Sequence, residues 1–195
     1  VDECEKALSN LRRARLLTVS GIRCTPQPEL EQLIRSAGYF RQKAQRLKTF
    51  VHFLDDRYGG SLTRMFVRPT VELRDELLAL NGVGPETADA ILLYAGNHSV
   101  FVVDTYTRRI LERHGIVSSA TTYDKIRLLF EEALADQEAQ RIETGHGSVK
   151  PRPVKTGVRP QGSRHRPSRM SAANRPAPAQ VFNEMHGLIV GVGKT

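Results

Sequence analysis

"LNGVGPETADAILLYAGNHSVFVVDTYTRRI", residues 80–110, decides how this chain is read. Gly82 and Gly84 bracket Val83, and Pro85 opens a run of good helix formers. Glycine admits positive φ and close backbone approach, and proline suits the first helical position. The stretch therefore predicts a helix over 70–80, a tight Gly-x-Gly hairpin and a second helix over 86–95. Amides of the hairpin and of the second helix's first turn then point outward as an anion site that suits a phosphate. The plainer reading is a pair of helices whose glycines only turn the chain. Further on, "SVFVV" at 99–103 is short and isolated, and it reads as an extended buried connector. It leads into Asp104, ahead of "TYTRRI". An aspartate there is a good N-cap for a helix over 105–114, worth about 1 kcal/mol. A carboxylate fixed in that way can also stabilise a developing positive charge, and can position or deprotonate a water.

The rest of the chain is helical in pattern. Residues 2–14 carry Ala7, Leu8 and Leu11 at helical spacing, and 28–36 carry Leu30, Leu33 and Ile34. The next helix has the stripe Ala44, Leu47, Phe50, Val51 and Leu54, and Gly59-Gly60 ends it. Residues 122–134 make another helix, and a last one starts around Val181 and loses its pattern at Gly191. Between these, residues 138–180 hold six of the ten prolines. They also hold nine Lys or Arg against Glu138 and Glu143, which is +7 of the chain's net +8. Such a stretch buries too little to offset the entropy of ordering, and is expected to be a disordered basic insertion. It adds salt-sensitive attraction to phosphates, or is a solvated spacer. The fold class is all-α, in two helical lobes: 1–98, and 99–137 with 181–195, interrupted by 138–180. No apolar run approaches the roughly 18 residues of a membrane span, and no secretory leader is expected. Cys4 and Cys24 lie apart, give no metal site and fit a reduced intracellular compartment.

Leu80, Gly82, Val83, Gly84, Thr87 and Ala88, in that order, resemble the helix-hairpin-helix motif. With "VFVVDTYTRRIL" after it, the pattern resembles the endonuclease III-like superfamily of base-excision DNA glycosylases, and within it the 3-methyladenine-type branch. "GYFRQKAQRLK" resembles the family's post-turn helix, and "FNEMHGLIVGVGK" the helix that leads to its C-terminal region. The resemblance implies the helix-hairpin-helix DNA glycosylase fold, and Asp104 as the catalytic carboxylate. It implies DNA contacts through Gly82, Val83, Gly84, Glu86 and Thr87, with a monovalent cation helping at the hairpin. It places Tyr39 where a side chain wedges into the duplex and fills the gap left by a flipped base. Arg41 and Lys43 then lie near phosphates, and His186 borders the pocket. The plain alternatives are a core tyrosine, surface charge and a buried structural histidine.

One departure narrows the expectation. Many members carry a lysine at the position of Glu86, and its amine attacks the sugar. A glutamate cannot form an imine, so the resemblance implies a monofunctional enzyme acting on alkylated purines. It also implies an earlier "ILTQ-like" helix and a later loop of four cysteines around an iron–sulfur cluster. This sequence starts at "VDECEKAL" and stops at Lys194-Thr195, so it looks truncated at both ends. No cofactor is expected in this chain, and an iron–sulfur cluster only if a longer chain supplies the cysteines. The expected partner is double-stranded DNA with a damaged base, bound by a monomer in the cytoplasm or nucleoid, or in a nucleus. Two other readings compete: a non-catalytic DNA-binding module that ignores Asp104, and an inactive fragment bound to DNA by its insert alone.

Overall fold

The computed structural model describes residues 3–143 and 177–193. Every regular element among them is helical: α1 (Glu3–Arg13), α2 (Val19–Cys24), α3 (Gln27–Leu33), α4 (Phe40–Tyr58), α5 (Leu62–Phe66), α6 (Thr70–Leu78), α7 (Pro85–Ala90), α8 (Thr105–Arg113), α9 (Tyr123–Glu143) and α10 (Ala177–Gly193). A 3₁₀ turn at Arg35–Ala37 precedes α4, and a π turn at Ile91–Ala95 continues α7. None of the described helices is long and apolar enough to cross a membrane. The chain divides into two compact units, Val1–Ala88 and Asp89–Thr195, and the division falls inside α7.

The first unit is organised on α4. Ala44, Val51, Leu54 and Tyr58 are buried at helical spacing along one face. Ala44 and Val51 join Ala7 and Leu11 of α1, Ile22 of α2, Leu30 of α3 and Ile34 in one core. The helix stops at Gly59, whose φ of 59° is left-handed. There the amides of Gly59 and Gly60 turn back to the carbonyls of Asp55 and Leu54, at 3.0 Å each. Periodicity did not reveal α2 and α5, since six and five residues are too few to show a period. Caps start both: Thr18 Oγ1 accepts from Gly21 N at 2.9 Å, and Ser61 Oγ from Arg64 N at 3.3 Å.

In the second unit the apolar connector is buried and forms no strand: Val100, Phe101, Val102 and Val103 are all in the core. Buried amides need partners, and here side chains supply them. Phe101 N donates to Glu131 Oε1 at 2.9 Å, and Val103 N donates to the Tyr123 hydroxyl at 3.2 Å. Glu131 is held in turn by Arg127, whose Nη1 donates to Oε2 at 2.7 Å. Phe101 stacks on Phe130 of α9 with ring centroids 4.1 Å apart, and meets Phe182 of α10 edge-on at 6.0 Å. This clamp delivers the backbone to Asp104 in a fixed place.

The insertion expected over 138–180 has helical edges. The α9 helix runs on to Glu143, and α10 begins at Ala177. A nucleated helix propagates through residues such as Ala, Glu and Gln without needing a buried face, so apolar periodicity ends before the helix does. Residues 144–176 lie outside the described residues.

Candidate active site

Within the first unit, the hairpin closes through Leu80 N on Leu77 O at 3.1 Å and Val83 N on Leu80 O at 3.0 Å. The two glycines differ in what requires them. Gly82 has φ +85°, and the Arg46 side chain lies so close that a Cβ would collide with it. Gly84 has no positive φ, and a Cβ there would meet nothing within 4 Å. Gly84, Glu86 and Thr87 are exposed, Val83 is half-buried and Ala88 is buried.

Tyr39 stands at the N-cap of α4 with left-handed φ 44° and ψ 33°, and is 83% exposed. It is therefore not a core tyrosine. Gly38 before it is also at positive φ, and Lys43 Nζ donates to the Ala37 carbonyl, bracing the turn from inside α4. Arg41 is mostly exposed, with its Nε 3.9 Å from Glu31 Oε2 and its guanidinium over the Phe40 ring. Arg41, Gln42, Gln45, Arg46 and Thr49 of α4 line an open polar groove with Asn81 of the hairpin. In the sequence Arg46, Gln42 and Gln45 carry no distinguishing signal, because any solvent-facing helix side holds such residues. Their distinction is the hairpin packed beside them.

Within the second unit, Asp104 caps α8 as expected. Its Oδ1 accepts from Thr107 N at 2.7 Å and from Thr107 Oγ1 at 2.9 Å, and Thr107 is fully buried. Its Oδ2 faces Nε2 of His186, on α10, at 3.6 Å. That distance exceeds a hydrogen bond, and the contact is an ion pair only when the ring is protonated. The other ring nitrogen, Nδ1, is hydrogen-bonded to the Tyr94 hydroxyl. Tyr94 comes from the π turn, where Gly96 N closes on Ile91 O at 3.1 Å, one residue wider than an α-turn. Burial pushes the His186 pKa down, and the Asp104 charge opposes this only in part. The imidazole is therefore neutral at pH 7. Among the described residues no group of His, Cys, Asp and Glu could hold a metal ion, and Cys4 and Cys24 are free and exposed.

Residues 2–136 match the model of the HhH-GPD superfamily of base excision DNA repair proteins. The chain belongs to that superfamily. It is 42% identical over 131 residues to a Methanocaldococcus jannaschii protein named "Putative DNA repair glycosylase MJ1434", covering 67% of this chain and 60% of that protein. It is 32% identical over 127 residues to endonuclease III of Thermotoga maritima, covering 63% of this chain and 56% of that enzyme. The chain thus spans between half and two thirds of the length of these curated relatives. Among solved structures it resembles the Helicobacter pylori 3-methyladenine DNA glycosylase bound to 1,N6-ethenoadenine. The TM-score is 0.73 with 25% identity, over 97% of this chain and 75% of that one. An endonuclease III trapped as a covalent DNA intermediate aligns with a TM-score of 0.51 and 32% identity, over 65% of this chain and 57% of that one.

For this HhH-GPD chain, the residues singled out from sequence fall into two groups. Gly82, Val83, Gly84, Glu86, Thr87, Tyr39, Arg41 and Lys43 lie in the first unit, where Lys43 is engaged with Ala37 rather than free. Asp104 lies in the second unit, and the structure sets Tyr94 and His186 around it.

Proposed function

We propose that this chain is a DNA N-glycosylase of base excision repair that hydrolyses the N-glycosidic bond of alkylated purines and leaves the strand uncut. The observation that carries the reading is Asp104, a carboxylate with one oxygen fixed by Thr107 and the other set beside a neutral imidazole. As the bond between C1′ and the base breaks, its electron pair leaves with the base and positive charge gathers on the sugar. A carboxylate about 4 Å away stabilises that charge by roughly 4 kcal/mol at an effective dielectric near 20, or about 10³-fold in rate. Water then adds to C1′, and its proton passes to the carboxylate and on to solvent. A purine alkylated at N3 or N7 is cationic and departs neutral, so for such a base a single carboxylate suffices without a separate acid. The similarity to the H. pylori 3-methyladenine glycosylase supports that substrate class. A Schiff-base route needs an amine, and Glu86 offers none at the position where the family resemblance expects a lysine.

The first unit supplies DNA binding in this reading. Gly84 and the first turn of α7 take a phosphate, helped by a monovalent cation at the hairpin. Arg41 and Arg46 face the backbone of the duplex, and Tyr39 fills the space of the extruded base. A tyrosine held at positive φ and exposed to solvent contributes nothing to the core, and its strain of about 1–3 kcal/mol supports a functional task.

The test is incubation of a duplex carrying methylated adenine, with free base measured by chromatography and strands by gel. The expected result is released base with breaks only after alkali. Breaks without alkali, or an adduct trapped by borohydride, contradict the monofunctional reading. Absence of release from any alkylated purine contradicts the substrate class.

A further inference from the structure

We infer that His186 is a positioning residue for Asp104, held by Tyr94 in the tautomer that carries its hydrogen on Nε2, so that the second carboxylate oxygen is oriented as the first is by Thr107. This rests on the reading of Asp104 as the reacting carboxylate.

The geometry assigns the tautomer. The Tyr94 hydroxyl can donate to Nδ1 or accept from it, and the carboxylate on the other side decides: with Tyr94 donating, the hydrogen of a neutral ring sits on Nε2, aimed at Asp104 Oδ2 3.6 Å away. The opposite tautomer would set a nitrogen lone pair against a carboxylate oxygen. Nε2 is sealed from solvent and has no hydrogen-bond partner. A sealed, unpaired donor is unfavourable, so a small approach of the carboxylate on substrate binding is favoured. Catalytic hydrogen bonds that are long in the free enzyme commonly tighten in this way. The ring keeps 12% side-chain exposure, but its Nε2 edge is closed to solvent and faces Asp104, and this makes His186 a positioning group. Oδ2 is thereby steered while the carboxylate itself stays partly open, at 14% side-chain exposure.

The charge balance agrees. Asp104, at the start of α8, is the charged group whose field reaches the ring among the described residues. The π turn contributes the Tyr94 hydroxyl. From the connector, Phe101 meets the ring edge-on at 6.4 Å, and on α9 Arg127 and Glu131 are paired with each other. Burial outweighs Asp104 and keeps the imidazole neutral near pH 7, so the pair keeps a net negative charge towards the sugar cation. An imidazolium would cancel it.

Two measurements test this. The first needs no activity: nitrogen NMR of the His186 ring in the full chain. The neutral ring should be the Nε2–H tautomer, and Asp104→Asn should lower its titration midpoint further. An Nδ1–H tautomer, or a midpoint that does not fall, overturns the inference. The second is the pH profile of single-turnover base release. His186→Phe should lose about 10²-fold in rate, the loss expected of a misplaced reacting group, with substrate affinity unchanged. It should also lose the acid limb set by His186, while His186→Gln, whose amide nitrogen replaces Nε2–H, should recover most of the rate. A His186→Phe protein with the wild-type rate and profile overturns the inference. A wild-type chain that releases no base fails the glycosylase reading, while the NMR result still decides the role of His186.

Discussion

The two hairpin glycines are predicted to fail in different ways when each is changed to alanine. At Gly82 the backbone sits at φ +85°, and the Arg46 side chain occupies the space of the new methyl. Holding a non-glycine residue in the left-handed region costs about 1–2 kcal/mol, and Arg46, which is exposed, must also swing aside. For a chain of this size that lowers Tm by roughly 2–8 °C. At Gly84 the backbone is ordinary and the methyl meets nothing, so Tm should stay within about 1 °C or rise slightly. DNA binding should reverse the order of concern. The Gly84→Ala methyl projects where a phosphate must approach the hairpin amides, and should weaken duplex affinity at least tenfold without unfolding the protein. Thermal unfolding followed by circular dichroism gives the first quantity, and fluorescence anisotropy with a labelled duplex gives the second. A Gly84→Ala protein that binds DNA like wild type would refute the assignment of the hairpin as the phosphate site. A Gly82→Ala protein of unchanged Tm would refute the strain argument.

Three further outcomes follow from the geometry. Asp104→Ala removes the acceptor of both Thr107 bonds and should cost about 2 kcal/mol, whereas Asp104→Asn keeps a capping oxygen and should unfold within about 0.5 kcal/mol of wild type by denaturant titration. Tyr39→Gly relieves a positive-φ residue that is outside the core, so it should stabilise the protein by about 1 kcal/mol while slowing base release; a loss of stability would contradict the wedge assignment. The His186 pKa lies below the ordinary 6.5 because burial disfavours its charged form, so the unfolded chain takes up that proton first as pH falls. The stability it contributes is complete above pH 6.5, declines as pH falls below that value, and levels off once pH passes under the folded pKa. His186→Gln should remove this slope, as read by denaturant midpoints between pH 8 and 5.

The hairpin and the cap were legible because their chemistry is local. Gly-x-Gly with a following proline specifies a turn within a few residues, and an aspartate ahead of a helix finds its donor three positions on, at Thr107. The connector at 99–103 was legible as buried but not in its support. Its amides are satisfied by Glu131 and Tyr123, which have no pattern linking them to it. The partnership of Tyr94 with His186 joins residues 92 positions apart, and the π turn that presents Tyr94 has no sequence signature distinct from a helix. The groove beside the hairpin was hidden for a related reason. Arg46 is one charged residue among many on α4, until packing places it against Gly82.

The measurement that bears most directly on the whole account is single-turnover release of methylated adenine from duplex DNA, by the wild-type chain and by Asp104→Asn at matched folding and matched DNA binding. The account predicts release by wild type and a rate lower by about 10³-fold or more for Asp104→Asn, the loss of one carboxylate beside the sugar cation. Equal rates from the two proteins would contradict it, and would leave Asp104 as a helix cap and no more.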